Sequence, residues 1–196
     1  NRGISDYSTI SGGQNNTTSG GHSTISGGLS NTASGQYSIV CGGTRNTASN
    51  TSAFIGGGND NSASGSNSTI GGGGLNSVSG FGSIIGGGNG NIILGNFAVI
   101  GGGDINRASG SHSTISGGLS NTASNTSTIV GGGKLNTASG ETSTIGGGAN
   151  NSVSGDKSII GGGVSNIITS NFSFIGGGST NTTSGLNSII GGGDGN

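Results

Sequence analysis

The apolar positions of this chain fall into one register. Ile10, Ile25, Val40, Ile55, Ile70, Ile85, Ile100, Ile115, Val130, Ile145, Ile160, Ile175 and Ile190 stand 15 residues apart, with no insertion between them. The unit reads S-x-I-G-G-G-x-x-N-x-A-S-G-x-x, as in Ser68-Thr69-Ile70-Gly71-Gly72-Gly73-Gly74-Leu75-Asn76-Ser77-Val78-Ser79-Gly80. A small residue and the aliphatic stand two apart in S-x-I, so both point the same way in an extended segment. The second stretch, N-x-A-S, carries Ala33, Ala48, Ala63, Val78, Ile93, Ala108, Ala123, Ala138, Val153 and Ile168 at its third place, and Thr18 and Thr183 near the two ends. Stretches of three to five residues between glycine corners are too short for helices and predict one coil of a solenoid. The fold class expected is all-β, a parallel β-solenoid of about 13 coils of 15 residues, with residues 1–196 forming a single repeat domain. Stacked at roughly 4.8 Å per coil, it would extend on the order of 60 Å.

Strand alternation turns the residue just before each core aliphatic outward. That column reads Thr9, Thr24, Ile39, Phe54, Thr69, Ile84, Val99, Thr114, Ile129, Thr144, Ile159, Phe174 and Ile189, and eight of the thirteen are apolar. Such a stripe predicts an oligomer interface through Ile39, Phe54, Ile84, Val99, Ile129, Ile159, Phe174 and Ile189, most simply in a homotrimer. Strand propensity alone would also select Thr, Ile, Val and Phe there. A second column is invariant: Asn16, Asn31, Asn46, Asn61, Asn76, Asn91, Asn106, Asn121, Asn136, Asn151, Asn166 and Asn181, with Asn196 in phase. Its expected role is structural, because asparagine tolerates left-handed backbone at corners and its amide can bond the next asparagine of a stack.

Composition narrows the classes. Glycine supplies 50 of 196 residues, charged residues 6%, and Pro, Met and Trp are absent. Glycine without a three-residue period, and no proline, excludes collagen. No apolar run exceeds four residues (Phe97-Ala98-Val99-Ile100), which excludes a membrane-spanning helix. A formal net charge of −1 gives no drive towards nucleic acid or an anionic membrane. The strict register argues against a flexible linker.

Candidate chemistry is sparse. Asp6, Asp60, Asp104, Glu141, Asp156 and Asp194 are scattered over three columns. His22 and His112 share a column six coils apart, roughly 29 Å at the sheet spacing, too far to share a metal. No serine has a histidine and an acid at usable separation, so no catalytic residue, cofactor or metal is assigned. Gly101-Gly102-Gly103-Asp104 and Gly191-Gly192-Gly193-Asp194 are similar to calcium-binding nonapeptides, but Gln14, Leu29, Thr44, Asn59 and Lys134 fill the same column elsewhere. A phosphate loop would need Gly-Lys-Ser/Thr, which does not follow the glycines. Cys41 alone cannot form an internal bridge and is read as a small corner residue. Tyr7, Tyr37, Phe97, Phe172, His22 and His112 occupy the column three before the aliphatic, expected at an exposed edge. Sequons occur at Asn15, Asn16, Asn50, Asn67, Asn125, Asn150, Asn171 and Asn181. Beginning at Asn1 and stopping halfway through a coil at Asn196, the chain is expected to be a segment of a longer fibre.

The unit N-S-x-I-G-G-G-x-x-N-x-x-S-G resembles the head repeats of trimeric autotransporter adhesins, from Tyr7 to Asn196, and departs from them by its triple glycine and 15-residue length. Arrays such as N-T-A-S-G-x-x-S-T-I-S-G-G are also similar to those of bacterial surface proteins and of fibre proteins of phages and large viruses. The resemblance implies a left-handed β-roll, three chains to a fibre, exposed outside a cell or virion and binding matrix or host surface. The function expected is therefore a non-enzymatic extracellular structural fibre or adhesin segment. Its partner would be itself, as a homotrimer or end-to-end filament, and a host glycan or protein, with no nucleic acid and no membrane insertion.

A second resemblance concerns Asn31-Thr32-Ala33-Ser34-Gly35 and Ser23-Thr24-Ile25-Ser26-Gly27, which are similar to the N-x-V-x-G units of grass ice-binding proteins. It implies an ice-binding face along Thr9, Thr24, Thr69, Thr114 and Thr144, or along Thr17, Thr32, Thr47, Thr122, Thr137 and Thr182. Phe54, Ile84 and Phe174 interrupt the first row, and Ile92, Arg107 and Ile167 the second. A glycan-processing β-helix enzyme is a third reading, opposed by the lack of clustered carboxylates.

Overall fold

A computed structural model describes residues 1–196. The chain is an all-β parallel β-solenoid of about 13 turns. Two compact units divide it, Asn1–Phe97 and Ala98–Asn196.

Each coil contributes two strands of two residues, shorter than the three to five expected. One ends on the core aliphatic, as in Thr24–Ile25, and the other on the small apolar residue, as in Thr32–Ala33. Both pair in parallel with the residue 15 further along: Thr24 with Ile39, Ile25 with Val40, Thr32 with Thr47 and Ala33 with Ala48. Within Asn1–Phe97 the aliphatic strands form one sheet, from Thr9–Ile10 to Ile84–Ile85, and the alanine strands another, from Arg2–Gly3 to Ile92–Ile93. Within Ala98–Asn196 the corresponding sheets run from Val99–Ile100 to Ile189–Ile190 and from Arg107–Ala108 to Thr182–Thr183. A third ladder, a single bridge per coil, links Gln14, Leu29, Thr44, Asn59, Gly74 and Asn89 in the first unit and Asp104 to Asp194 in the second.

The chain turns between these ladders through left-handed backbone. The third residue after every core aliphatic is a glycine at positive φ; at Gly28, φ is 91°, and an added Cβ would come within 2.2 Å of the Gly43 carbonyl oxygen. Two further corners use the same region with ordinary residues. One lies just before the asparagine column and holds Asn15, Ser30, Arg45, Asp60, Leu75 and Ile105, among others; the second holds Tyr7, His22, Tyr37, Lys157 and Phe172. Left-handed φ costs an L-residue roughly 1–2 kcal/mol. The cost is accepted because cross-coil hydrogen bonds hold each corner: Arg45 N–H donates to the Leu29 carbonyl (2.9 Å) and Tyr37 N–H to that of Gly21 (3.0 Å).

The interior is filled by stacked like residues. Ile25, Val40, Ile55, Ile70 and Ile85, with Ala33, Ala48, Ala63 and Val78, are fully buried in the first unit; Ile100 to Ile175 and Ala108 to Ile168 repeat this in the second. Two polar columns share the interior, the asparagines and the Ser column two before each aliphatic. The sequence reading pointed the Ser column the same way as the aliphatics, as found, and gave a bonding role only to the asparagines.

Candidate functional site

The asparagine column is buried throughout, from Asn16 to Asn181. At Asn31 the side-chain Nδ2 donates to the carbonyls of Gly27 (3.1 Å) and Gly43 (2.9 Å). Its N–H donates to Asn16 Oδ1, and its own Oδ1 accepts from the Asn46 N–H, both at 2.9 Å. The motif recurs at Asn61, Asn76, Asn136 and Asn151. Asn1 and Asn196 take the same place in their coils. None of these asparagines has positive φ, contrary to the corner role expected for them; the left-handed residue is the one before. The column ties the glycine corner of its own coil to that of the next, using both polar atoms of each amide side chain.

The outward column before the aliphatics is exposed or half-buried. Ile39, Ile84, Val99, Ile129, Ile159, Phe174 and Ile189 are exposed and Phe54 is half-buried. Phe54 and Phe174 lie over the glycines two residues on, their Cε1 atoms 3.6 and 3.5 Å from where a Cβ of Gly56 or Gly176 would stand.

On the alanine sheet, Thr17, Thr32, Thr47, Ser62 and Ser77 point outward in register, half-buried and paired rung to rung. Ile92 ends this run, and in the second unit Arg107 and Ile167 flank Thr122, Thr137 and Ser152.

Charged and aromatic groups occupy the corners. The Arg45 guanidinium makes a two-pronged bond to Asp60 one coil away, Nε to Oδ1 at 2.6 Å and Nη2 to Oδ2 at 2.7 Å. The hydrogen bond from Arg45 is the main cause that holds the Asp60 carboxyl below its ordinary value, and the same bond raises the guanidinium. Tyr7, His22 and Tyr37 form a ring stack with centroids 4.9 and 5.1 Å apart, and Lys157 Nζ lies 5.4 Å from the Phe172 ring centre. Cys41 is free and exposed. The sequons separate by burial: Asn16 and Asn181 are inside, Asn171 is half-buried, and Asn15, Asn50, Asn67, Asn125 and Asn150 are exposed.

No three His, Cys, Asp or Glu side chains come together, and neither unit has a pocket. No helix is long and apolar enough to cross a membrane.

The sequence reading missed the two left-handed corner columns with ordinary residues. Their signal is weak, because Tyr, Arg, Leu, Ile, Lys and Phe occur there beside Asn, Gly and Ser. It also missed the unpaired inner hydroxyls of Ser23, Ser38, Ser68, Ser143, Thr18 and Thr183. No protein-family model matches the chain, and no curated protein matches it in sequence.

Proposed function

We propose that the chain is a non-enzymatic structural segment of an extracellular fibre or adhesin, serving stiff display and attachment at a cell or virion surface. The observation that carries this reading is the stacking of like on like: a core filled by Ile, Ala and Asn columns, each coil bonded through its backbone and asparagine amide to the next. Parallel ladders of this kind resist extension, because every coil must break its own set of bonds. The corner positions vary freely in chemistry, as expected where a scaffold carries changeable surface residues. Electron microscopy of native assemblies, with antibody labelling of intact cells or particles, tests the proposal. Labelled surface filaments are expected; an epitope found only in the soluble interior fraction would overturn it.

A second reading, an ice-binding face, is favoured by the run Thr17, Thr32, Thr47, Ser62 and Ser77, each followed two residues on by a serine from Ser19 to Ser79. Such a regular, weakly polar face suits an ordered water lattice. Thermal hysteresis separates the two: none is expected for the fibre segment, and clear activity at micromolar protein would reverse the order.

A further inference from the structure

The eleven charged residues avoid one face of the chain. Arg2 and Arg107 lie on the alanine sheet, Asp104, Lys134 and Asp194 on the single-bridge ladder, and the others at the left-handed corners or next to them. The outward side of the aliphatic sheet carries none. In Ala98–Asn196 it reads Val99, Thr114, Ile129, Thr144, Ile159, Phe174 and Ile189, seven consecutive rungs. Five are exposed and apolar, with Ile129 and Ile159 each 43% accessible. The residues two further along each rung are glycine or Ser116, so nothing shields the apolar column.

The next residue, the second after each core aliphatic, is glycine in every coil. At Gly102, Gly147, Gly162 and Gly177 neither a left-handed φ nor a neighbour demands it, since an added Cβ would meet nothing within 4 Å. This differs from the following glycine column, where Gly148 has φ 87° and a Cβ would lie 2.0 Å from the Gly163 carbonyl oxygen. The first column therefore leaves a smooth border beside the apolar rungs, open to close approach by another backbone.

We infer that this face of Ala98–Asn196 is covered by the same face of a second copy of the chain. The inference rests on the fibre reading and names the surface through which that fibre's chains would join. A charged partner would leave its charges unpaired against an uncharged sheet, whereas a second copy presents an equally uncharged, apolar one. The seven rungs expose on the order of 500 Å² of apolar and near-neutral surface per copy, and two copies reach the roughly 1,000 Å² a specific interface needs.

Sedimentation velocity from 1 to 100 µM on the intact chain tests this with two variants. The double variant Ile129→Thr with Ile159→Thr uses a residue the column already carries at Thr114 and Thr144, so the coil is retained. Gly147→Leu places a side chain in open space within one chain but against a docked copy. The intact chain is expected to associate, and each variant to weaken association at least tenfold with an unchanged far-ultraviolet spectrum. Association undiminished in the threonine variant overturns the face and leaves the fibre reading standing. An intact chain that stays monomeric at 100 µM overturns the face and removes lateral assembly from the fibre reading. A monomer that instead co-sediments with vesicles or polysaccharide assigns the face to that partner and overturns the second copy. Should Gly147→Leu fail to fold, the threonine variant decides.

Discussion

The side-chain nitrogen of Asn31 lies 2.9 Å from the carbonyl oxygen of Gly43, a residue of the following coil. That one bond joins two features that look independent along the chain, the invariant asparagine and the glycine at left-handed φ. The glycine corner presents its carbonyl to the asparagine, whose buried amide adds a second donor beside the Leu29 N–H. Each column explains why the other does not vary.

Replacing Asn31 by alanine leaves the Gly27 carbonyl and the Asn46 N–H without their present partners and takes from the Gly43 carbonyl one of its two donors, the Leu29 N–H remaining. Unpaired buried groups of this kind cost about 1–3 kcal/mol each, so a loss on the order of 3 kcal/mol is expected in urea denaturation. Asn31→Asp should be worse at pH 7 than at pH 3. A buried carboxylate facing two carbonyls has its folded pKa raised, so the stability retained below the ordinary carboxylate range is lost as pH rises.

The two neighbouring glycines should separate sharply. Gly28→Ala drives a Cβ to 2.2 Å from a backbone oxygen at φ 91°, whereas Gly27→Ala meets nothing within 4 Å. The first should lose well over about 1 kcal/mol, while the second should be neutral or gain up to about 1 kcal/mol through the unfolded chain. Thermal melts of both proteins check this.

Ile105 is β-branched, 60% exposed and at φ 57°. Ile105→Asn should stabilise the second unit by about 1 kcal/mol, since asparagine tolerates the left-handed region and no core contact is lost. An unchanged or lowered melting temperature would contradict the strain.

Ser68 has a buried hydroxyl with no partner, and Ala53 occupies the same place one coil earlier. Ser68→Ala should therefore be neutral or stabilising by up to about 1 kcal/mol, and Thr18→Val likewise, because each removes an unsatisfied polar atom at nearly constant shape. Chemical denaturation measures both.

Asp60 should titrate below the ordinary aspartate range in carbon-detected NMR, and Arg45→Ala should return it there. Its folded pKa is lowered, so the small contribution of the pair is present above the ordinary carboxylate range and lost as pH falls through the lowered value. Arg45 is exposed and Asp60 only half-buried, so 1 M salt should reduce the shift.

Much of this was legible along the chain. Thirteen aliphatics at one spacing, with Gly12-Gly13 to Gly192-Gly193 in step, specify a stacked coil, because only superposition of identical rungs buries each aliphatic against its own kind. The outward direction of Ile39, Ile84 and Ile129 followed from alternation, and the structure exposes all three. The third ladder through Leu29 and Lys134 was not legible: a single bridged residue per coil leaves no alternation to detect, and its side chains face solvent.

From the order of residues alone come the period, the absence of helix, the identity of the inner aliphatic and alanine columns, and the sparseness of reactive chemistry. These rest on hydrophobic burial and chain geometry, which repeat wherever the letters do. Three-dimensional closure adds the rest: left-handed backbone at Tyr7, Arg45 and Ile105, the inward amides of Asn31 and Asn61, and the difference between one glycine that must be glycine and another that need not. Those depend on which atom of the next coil stands a few ångströms away, a distance no linear spacing contains.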